Sequence, residues 1–486
     1  MDALTAKRRA ALGVIFLILR TAASQLCILG GTVILARVLD PADFGVYAIL
    51  QFALTFFQFF GDAGIGGALI RRKEPPSERE LASVFWLQIL LALVVVVVIW
   101  SVAPVTTLIW KALPPASPWL LRAMSIAFLL TAARIVPSIL LERSISFGAI
   151  AIIEVLQTLA FYVVACVLAL RGAGIWSWAW AMVLQAFIGA AGCFLLKPWR
   201  PRLALDWSLL RPLIAFGIPY QVKGLIGFAN GAVAPLYAGA ALGPSPLGFI
   251  NWGQQTAYFP LKLVEVMSRV SFPLFARFQD DPRQLARSIE RSLQVCALGT
   301  FFCIGLFLSM GPNITTVVFT PKWIPGLFAL YAYSLVLGVG FLSPVIGAAL
   351  DAIGRPGIIA RLAIGWTVLN WSIVPVATHL WGTKGFVLGN CVHILVGNLA
   401  VVWVARKAFP GLRFLAPMAP PVVGAVLVFL LGWFWTRSWA WSPLMLSLAV
   451  ALLFVVQILA QAALDPTSIR DTIQAFKPKR TSPASP

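Results

Sequence analysis

The chain has 486 residues, of which 60% are hydrophobic and 11% charged, and it carries a formal net charge of +20. A soluble domain has roughly 25% charged residues and could not hide this much apolar surface, so the composition excludes a soluble fold and points to a multi-span membrane protein. The basic excess does not indicate nucleic acid, because the Lys and Arg residues sit at the ends of apolar runs.

A spanning helix needs about 20 mostly apolar residues. Breaks at charges, Pro and Gly place fourteen spans, at 11–36, 44–68, 81–103, 119–141, 149–170, 175–196, 212–239, 247–268, 290–311, 325–350, 358–381, 385–405, 417–436 and 441–464. The first is too long for a signal-peptide core, contains Arg20 and lacks an A-x-A site, so it reads as a retained helix. The break between the fifth and sixth rests on Arg171-Gly172-Ala173-Gly174. The longest inner loop, near 269–289, is expected to form an amphipathic surface helix, and the tail after Asp465, ending in Lys477, Lys479 and Arg480, a disordered basic segment at an anionic leaflet.

Charge sorts onto alternate loops. Clusters such as Lys7-Arg8-Arg9, Arg71-Arg72-Lys73 and Arg283, Arg287 and Arg291 fall on one side, while the other side holds single residues such as Arg37, Lys111 and Lys322. The positive-inside rule then puts both termini in the cytoplasm and the number of spans at an even value.

The chain also repeats itself at an offset of 203 residues. Leu39-Asp40-Pro41-Ala42-Asp43-Phe44-Gly45 falls on Leu242-Gly243-Pro244-Ser245-Pro246-Leu247-Gly248, and Arg20 falls on Lys223, Gln51 on Gln254 and Asp62 on Glu265. Ionisable residues are rare in apolar spans, so matched charges weigh more than the matched loop. Six spans separate the units, which makes the repeat parallel, about an axis along the membrane normal. The expected fold is all-α: a polytopic membrane protein of about 14 transmembrane helices, as two parallel six-helix repeats plus two C-terminal helices. The expected parts are 1–205, 206–410, helices 13 and 14 within 411–465, and a basic cytoplasmic tail, 466–486.

Repeat-related cations in the middle of spans suggest a basic site at the repeat interface of a transporter, with Arg20 and Lys223 as its core. The plainer alternative is that each snorkels or pairs with a neighbouring helix. Arg134 has no mate at the offset, where Leu337 stands, and reads equally as an inner-side anchor. Span 2 carries Gln51, Thr55, Gln58 and Asp62 on one helical face, and span 8 carries Gln254, Tyr258, Lys262 and Glu265 at the same spacings. These stripes read as cavity lining or as interhelical hydrogen bonding. Lys262 and Glu265, three apart, can neutralise each other. Asp62 has no cation on its own face, which makes it the better candidate for ion coupling, with Glu265 as its repeat mate. Pro137, Pro219, Pro235, Pro260, Pro344 and Pro375 lie within spans, where proline kinks helices. His379 and His393 read as packing residues, and Asn370, Asn390 and Asn398 as interhelical glue. The six cysteines show no C-x-x-C, and no phosphate loop, HExxH or nucleophile elbow occurs, so neither a metal, a cofactor nor enzymatic chemistry is expected.

Ala36-Arg37-Val38-Leu39-Asp40-Pro41-Ala42-Asp43-Phe44-Gly45-Val46-Tyr47 closely resembles the first signature of the polysaccharide transporter family. Gly61-Asp62-Ala63-Gly64-Ile65-Gly66 with Ile70-Arg71-Arg72-Lys73 resembles its second, and Leu140-Leu141-Glu142-Arg143 and Phe272-Pro273-Leu274-Phe275-Ala276-Arg277-Phe278-Gln279 resemble later segments. The resemblance implies a Wzx-type flippase in the superfamily that includes multidrug extruders and the lipid II flippase. Such a protein moves undecaprenyl-diphosphate-linked sugar units across the inner membrane by alternating access, for exopolysaccharide, capsule or O-antigen synthesis. By that likeness the diphosphate would meet Arg20 and Lys223, with Arg134 and Lys262 behind them, an assignment that rests on position. Implied partners are the polyprenyl-diphosphate-linked glycan, membrane lipid, and the polymerase and other assembly proteins. The competing readings are a drug/cation antiporter of the same superfamily, a membrane polysaccharide polymerase or ligase, and a non-transporting component of a polysaccharide assembly complex.

Overall fold

The computed structural model describes residues 3–61, 64–71, 74–144, 146–436 and 441–466, without the side chains of 3–19, 22, 60, 61, 71, 147, 216, 218–223 and 226. Asp62, Arg72, Lys73 and the tail from 467 onward lie outside the described residues, as does the side chain of Lys223. The described residues form no strand.

The helices run in the predicted order. In the first part of the chain they are α1 (Ala3–Val38), α2 (Pro41–Gly61), α3 (Ile65–Arg71), α4 (Glu78–Val102), α5 (Val105–Ile109), α6 (Ser117–Ala133), α7 (Ile135–Arg143), α8 (Phe147–Leu170), α9 (Trp176–Leu196), α10 (Trp207–Gly231), a π-helix (Val233–Ala238) and α11 (Gly239–Leu242). There follow α12 (Pro244–Ala257), α13 (Phe259–Arg277), α14 (Pro282–Ile314), a π-helix (Thr315–Phe319), a 3-10 turn (Pro321–Gly326), α15 (Leu327–Gly340), α16 (Leu342–Ala352), α17 (Pro356–Ala408), α18 (Leu415–Thr436) and α19 (Pro443–Leu464). Among the described residues nine helices are long and apolar enough to cross a membrane, ten if α6 and α7, bent by 44°, make one span. The 53 residues of α17 hold two predicted spans. They meet at Trp381 and Gly382, where Gly382 has φ of 58°, a left-handed geometry that a side chain would strain.

Prolines set the other breaks. Each lacks an N–H for the carbonyl four residues back, and its ring crowds that carbonyl. Pro137 lies four after Ala133, where α6 ends; Pro235 lies four after Gly231, where α10 ends; Pro344 lies four after Gly340, where α15 ends. Pro260 sits just past the break at Tyr258. Pro375 causes no interruption, and α17 runs through it.

The expected surface helix at 269–289 is absent. Instead α13 continues to Arg277 and α14 begins at Pro282. Asp281 is the reason: its carboxylate accepts from the backbone N–H groups of Arg283 and Gln284, both at 3.1 Å, with proline at the first helical position. That cap starts one long helix rather than a separate short one.

The chain forms two compact units, Met1–Gly248 and Phe249–Pro486. In the first, α8 packs on α1 and α9, and α6 on α4 and α9. Leu35, Leu39, Ala165 and Trp178 form one buried cluster; Ile65, Leu69, Leu81, Val136 and Leu210 form another. Phe228 of α10 stacks on Phe52 of α2 with centroids 4.9 Å apart. Basic residues at helix ends tie neighbouring segments together: Arg143 donates to the carbonyls of Leu69, at 2.6 Å, and Glu74, at 2.8 Å, and Arg79 pairs with Asp206 at 3.1 Å. In the second unit, α14 packs along α18 around Phe302, Met310, Val428 and Leu453. Phe275, Ile289, Phe341 and Val401 fill the space between α13, α14, α16 and α17. Ser343 donates to Asn398 at 2.6 Å, fastening α16 to α17. Leu90, Val94, Val97 and Val98 remain exposed, as lipid-facing residues do. Between apolar helices in lipid, cohesion comes from close packing and such hydrogen bonds rather than from expulsion of water.

Candidate functional site

Several intraspan polar groups of the first unit meet on α8. Parallel packing of α1 on α8 puts Gly31 beside Tyr162, with Cys166 Sγ 3.6 Å from the Gly31 carbonyl. About two turns nearer the N-terminus of α8 than Tyr162, the Arg20 guanidinium forms an ion pair with Glu154. The Arg20 and Glu154 side chains are 25% and 45% exposed, so the pair is reachable rather than sealed. Thr158 donates back to the Glu154 carbonyl at 2.9 Å.

Gln157, three residues on from Glu154, takes the second cation. Arg134 stands at the bend between α6 and α7 that Pro137 imposes. Its Nη1 donates to Gln157 Oε1 at 3.1 Å, and Gln157 Nε2 donates to the Gln185 carbonyl of α9, also at 3.1 Å. Gly189 makes room: a Cβ there would overlap the Gln157 amide and crowd the Arg134 guanidinium. Glu142 of α7 is close enough to Glu154 for the two carboxylates to interact electrostatically. Two cations therefore flank one helix, one facing a carboxylate and one a neutral amide.

Arg20 and Arg134 are thus brought to one helix. Lys223 lies within α10, with its side chain outside the described residues. In span 2, Thr55 donates to the Gln51 carbonyl at 2.8 Å, the Gln51 side-chain oxygen is buried without a hydrogen-bond partner, and Gln58 is exposed. In the second unit, Lys262 and Glu265 pair with each other at 3.7 Å, both about half exposed. Gln254 hydrogen-bonds Tyr258, whose ring meets Tyr333 edge-on at 5.8 Å.

Sequence reasoning passed over Glu154, Gln157 and Gln185. Glu154 did carry a signal, as an acid inside the expected span 149–170. The repeat hid it, because Gly357 stands at its offset position.

Long apolar helices, interrupted at prolines and carrying paired charges inside their spans, define a multi-pass membrane protein of transporter architecture. The chain belongs to the polysaccharide biosynthesis protein family, whose profile matches residues 34–326. This agrees with the family resemblance read from Ala36–Tyr47 and the later segments. The chain is 27% identical to the lipopolysaccharide biosynthesis protein WzxC of Escherichia coli over 390 residues, 78% of this chain and 77% of that protein. It is 25% identical to the succinoglycan biosynthesis transport protein ExoT of Rhizobium meliloti over 406 residues, 81% of this chain and 80% of that protein. Its fold matches the lipid II flippase MurJ with a TM-score of 0.74 at 14% identity, over 95% of this chain and 100% of that chain. It also matches an inward-facing MATE family multidrug transporter at 0.60 and 15% identity, over 80% of this chain and 95% of that one. The all-helical transporter fold expected from the spans is the fold observed.

Proposed function

We propose that the protein is a flippase for undecaprenyl-diphosphate-linked oligosaccharide units, working by alternating access in the bacterial inner membrane with both termini in the cytoplasm. The observation that carries this reading is the likeness to WzxC and ExoT along about four fifths of both chains. The chemistry supports it. A diphosphate head group cannot cross hydrocarbon unaided, whereas its polyprenyl tail can remain there. Cations in a medium of low dielectric attract such an anion strongly. Arg20, Arg134, Lys223 and Lys262 are proposed to contact the diphosphate in turn. Gln51, Gln58, Gln254 and Tyr258 are proposed to line its path, and Asp62 and Glu265 to couple transport to an ion gradient. The proposed partners are the lipid-linked glycan, the surrounding lipid and the polysaccharide polymerase; the protein itself is read as a carrier and not an enzyme.

A drug/cation antiporter would want a free acid in the first half. Span 1, which would line such a cavity, carries no acid. The deciding experiment reconstitutes the protein in vesicles carrying a prenyl-diphosphate-linked sugar in one leaflet and follows its appearance in the other. Translocation well above that of protein-free vesicles is expected, with loss in Arg134→Ala and Lys223→Ala. Translocation no faster than in protein-free vesicles would refute the flippase reading.

A further inference from the structure

We propose that Glu154 is a built-in counter-anion that holds Arg20 when no substrate is bound, and that a substrate phosphate loads by displacing it. The inference rests on the flippase reading above and names a residue that no motif of the sequence assigns. An arginine alone inside an apolar span is strongly unfavourable, so an empty basic site needs an anion of its own. Glu154 supplies it from a neighbouring helix.

The geometry suits exchange rather than permanent pairing. Nη1 of Arg20 is engaged by Glu154, while the planar guanidinium offers four further N–H donors, enough for a second anion to attach before the first leaves. Both side chains are partly exposed, so an incoming phosphate can reach them. The carboxylate cannot follow Arg20 far. Gln157, one turn along, fixes α8 to the Arg134 bend on one side and to the Gln185 carbonyl on the other. Arg134, held by a neutral amide, keeps its full charge, so a phosphate that replaces Glu154 enters a field of two cations.

Release has a driving force as well. Glu154 parted from Arg20 is an uncompensated carboxylate inside a span, which favours its return to Arg20 and the expulsion of the phosphate. The repeat sharpens the assignment: Lys223 matches Arg20, yet Gly357 occupies the position matching Glu154, so the resetting carboxylate belongs to the first half.

The test uses the purified full-length protein, with inorganic pyrophosphate as the binding probe and leaflet translocation of a prenyl-diphosphate-linked sugar as the transport readout. Glu154→Gln keeps the shape of the side chain and removes its charge. It should tighten pyrophosphate binding by up to about fivefold, as loss of a competing, partly exposed ion pair would, and slow translocation by retarding release. Glu154→Asp should restore the weaker binding of the wild type. In an Arg20→Gln background, Glu154→Gln should leave the affinity unchanged. A folded Glu154→Gln variant with wild-type or weaker pyrophosphate affinity overturns the proposal, as does a tightening that persists without Arg20. A wild-type protein that translocates the lipid while Glu154→Gln changes nothing overturns this inference alone. A folded wild type that neither binds pyrophosphate nor translocates overturns the flippase reading with it.

Discussion

Gly45 and Gly248 make the same contact in reverse. Gly45 presses its bare Cα against the Pro244 carbonyl at the start of α12, and Gly248 presses against the Pro41 carbonyl at the start of α2. The four residues are two repeat pairs at an offset of 203, and reciprocal contacts of this kind are what two-fold-related elements make. The matched loops of the repeat are therefore in direct contact with each other, and a Cβ at either glycine would overlap main chain that cannot rotate away.

Gly45→Ala and Gly248→Ala should each cost about 1–3 kcal/mol, the usual range for overpacking a tight contact. Gly67→Ala and Gly227→Ala, with nothing within 4 Å of the added methyl group, should be neutral or slightly stabilising. Thermal unfolding of the detergent-solubilised variants checks this. Equal midpoints for Gly45→Ala and Gly67→Ala would count against the contact.

Gly189→Ala should disturb the Arg134–Gln157–Gln185 chain without touching a charge, because the new methyl group takes the space of the Gln157 amide. The expected result is a loss of translocation of roughly tenfold or more, the factor attached to about 1.4 kcal/mol, with membrane abundance close to normal. Export assayed beside immunoblotted protein separates the two effects.

Asp206 gives an acid-sensitive tie at the N-terminus of α10. The Ser208 hydroxyl, backbone N–H groups and Arg79 hold its carboxyl below the ordinary value of 3.8. A carboxyl whose value is lowered by folding stabilises the fold fully above its unfolded value, and that contribution fades as pH falls through the lowered one. Asp206→Ala should therefore lower the melting midpoint equally at neutral and mildly acidic pH, with the difference from wild type closing only below about pH 4. A difference that already vanishes at pH 6 would contradict this origin.

The topology is open to cysteine labelling in a cysteine-free background. Ser77 and Gln284 should be shielded from an impermeant reagent in intact cells, and Ser117 and Ser245 should react. Labelling of Ser77 from outside would reverse the proposed orientation.

Asp62, within the second signature, is the proposed coupling acid. Asp62→Asn should remove the dependence of transport on an imposed ion gradient. A mutant that keeps the full response of the wild type to pH and sodium would exclude the role.

The all-helical membrane class, the order of the helices and the family were legible in the residues themselves, because hydropathy and signature loops are local properties. Asp281 followed by proline is a local helix-start signal, although its weight against a loop at 269–289 was visible only once the helix was seen. The prolines were equally plain, but not their effect. Pro137, Pro235 and Pro344 break their helices four residues back, while α17 continues through Pro375, and surrounding packing decides between the two outcomes. The partner of Arg20 was beyond any local pattern. Glu154 lies 134 residues away, has no repeat mate, and reaches Arg20 because α1 and α8 pack side by side in parallel. Hydropathy determines which segments enter the membrane; only close packing among them determines which charge faces which.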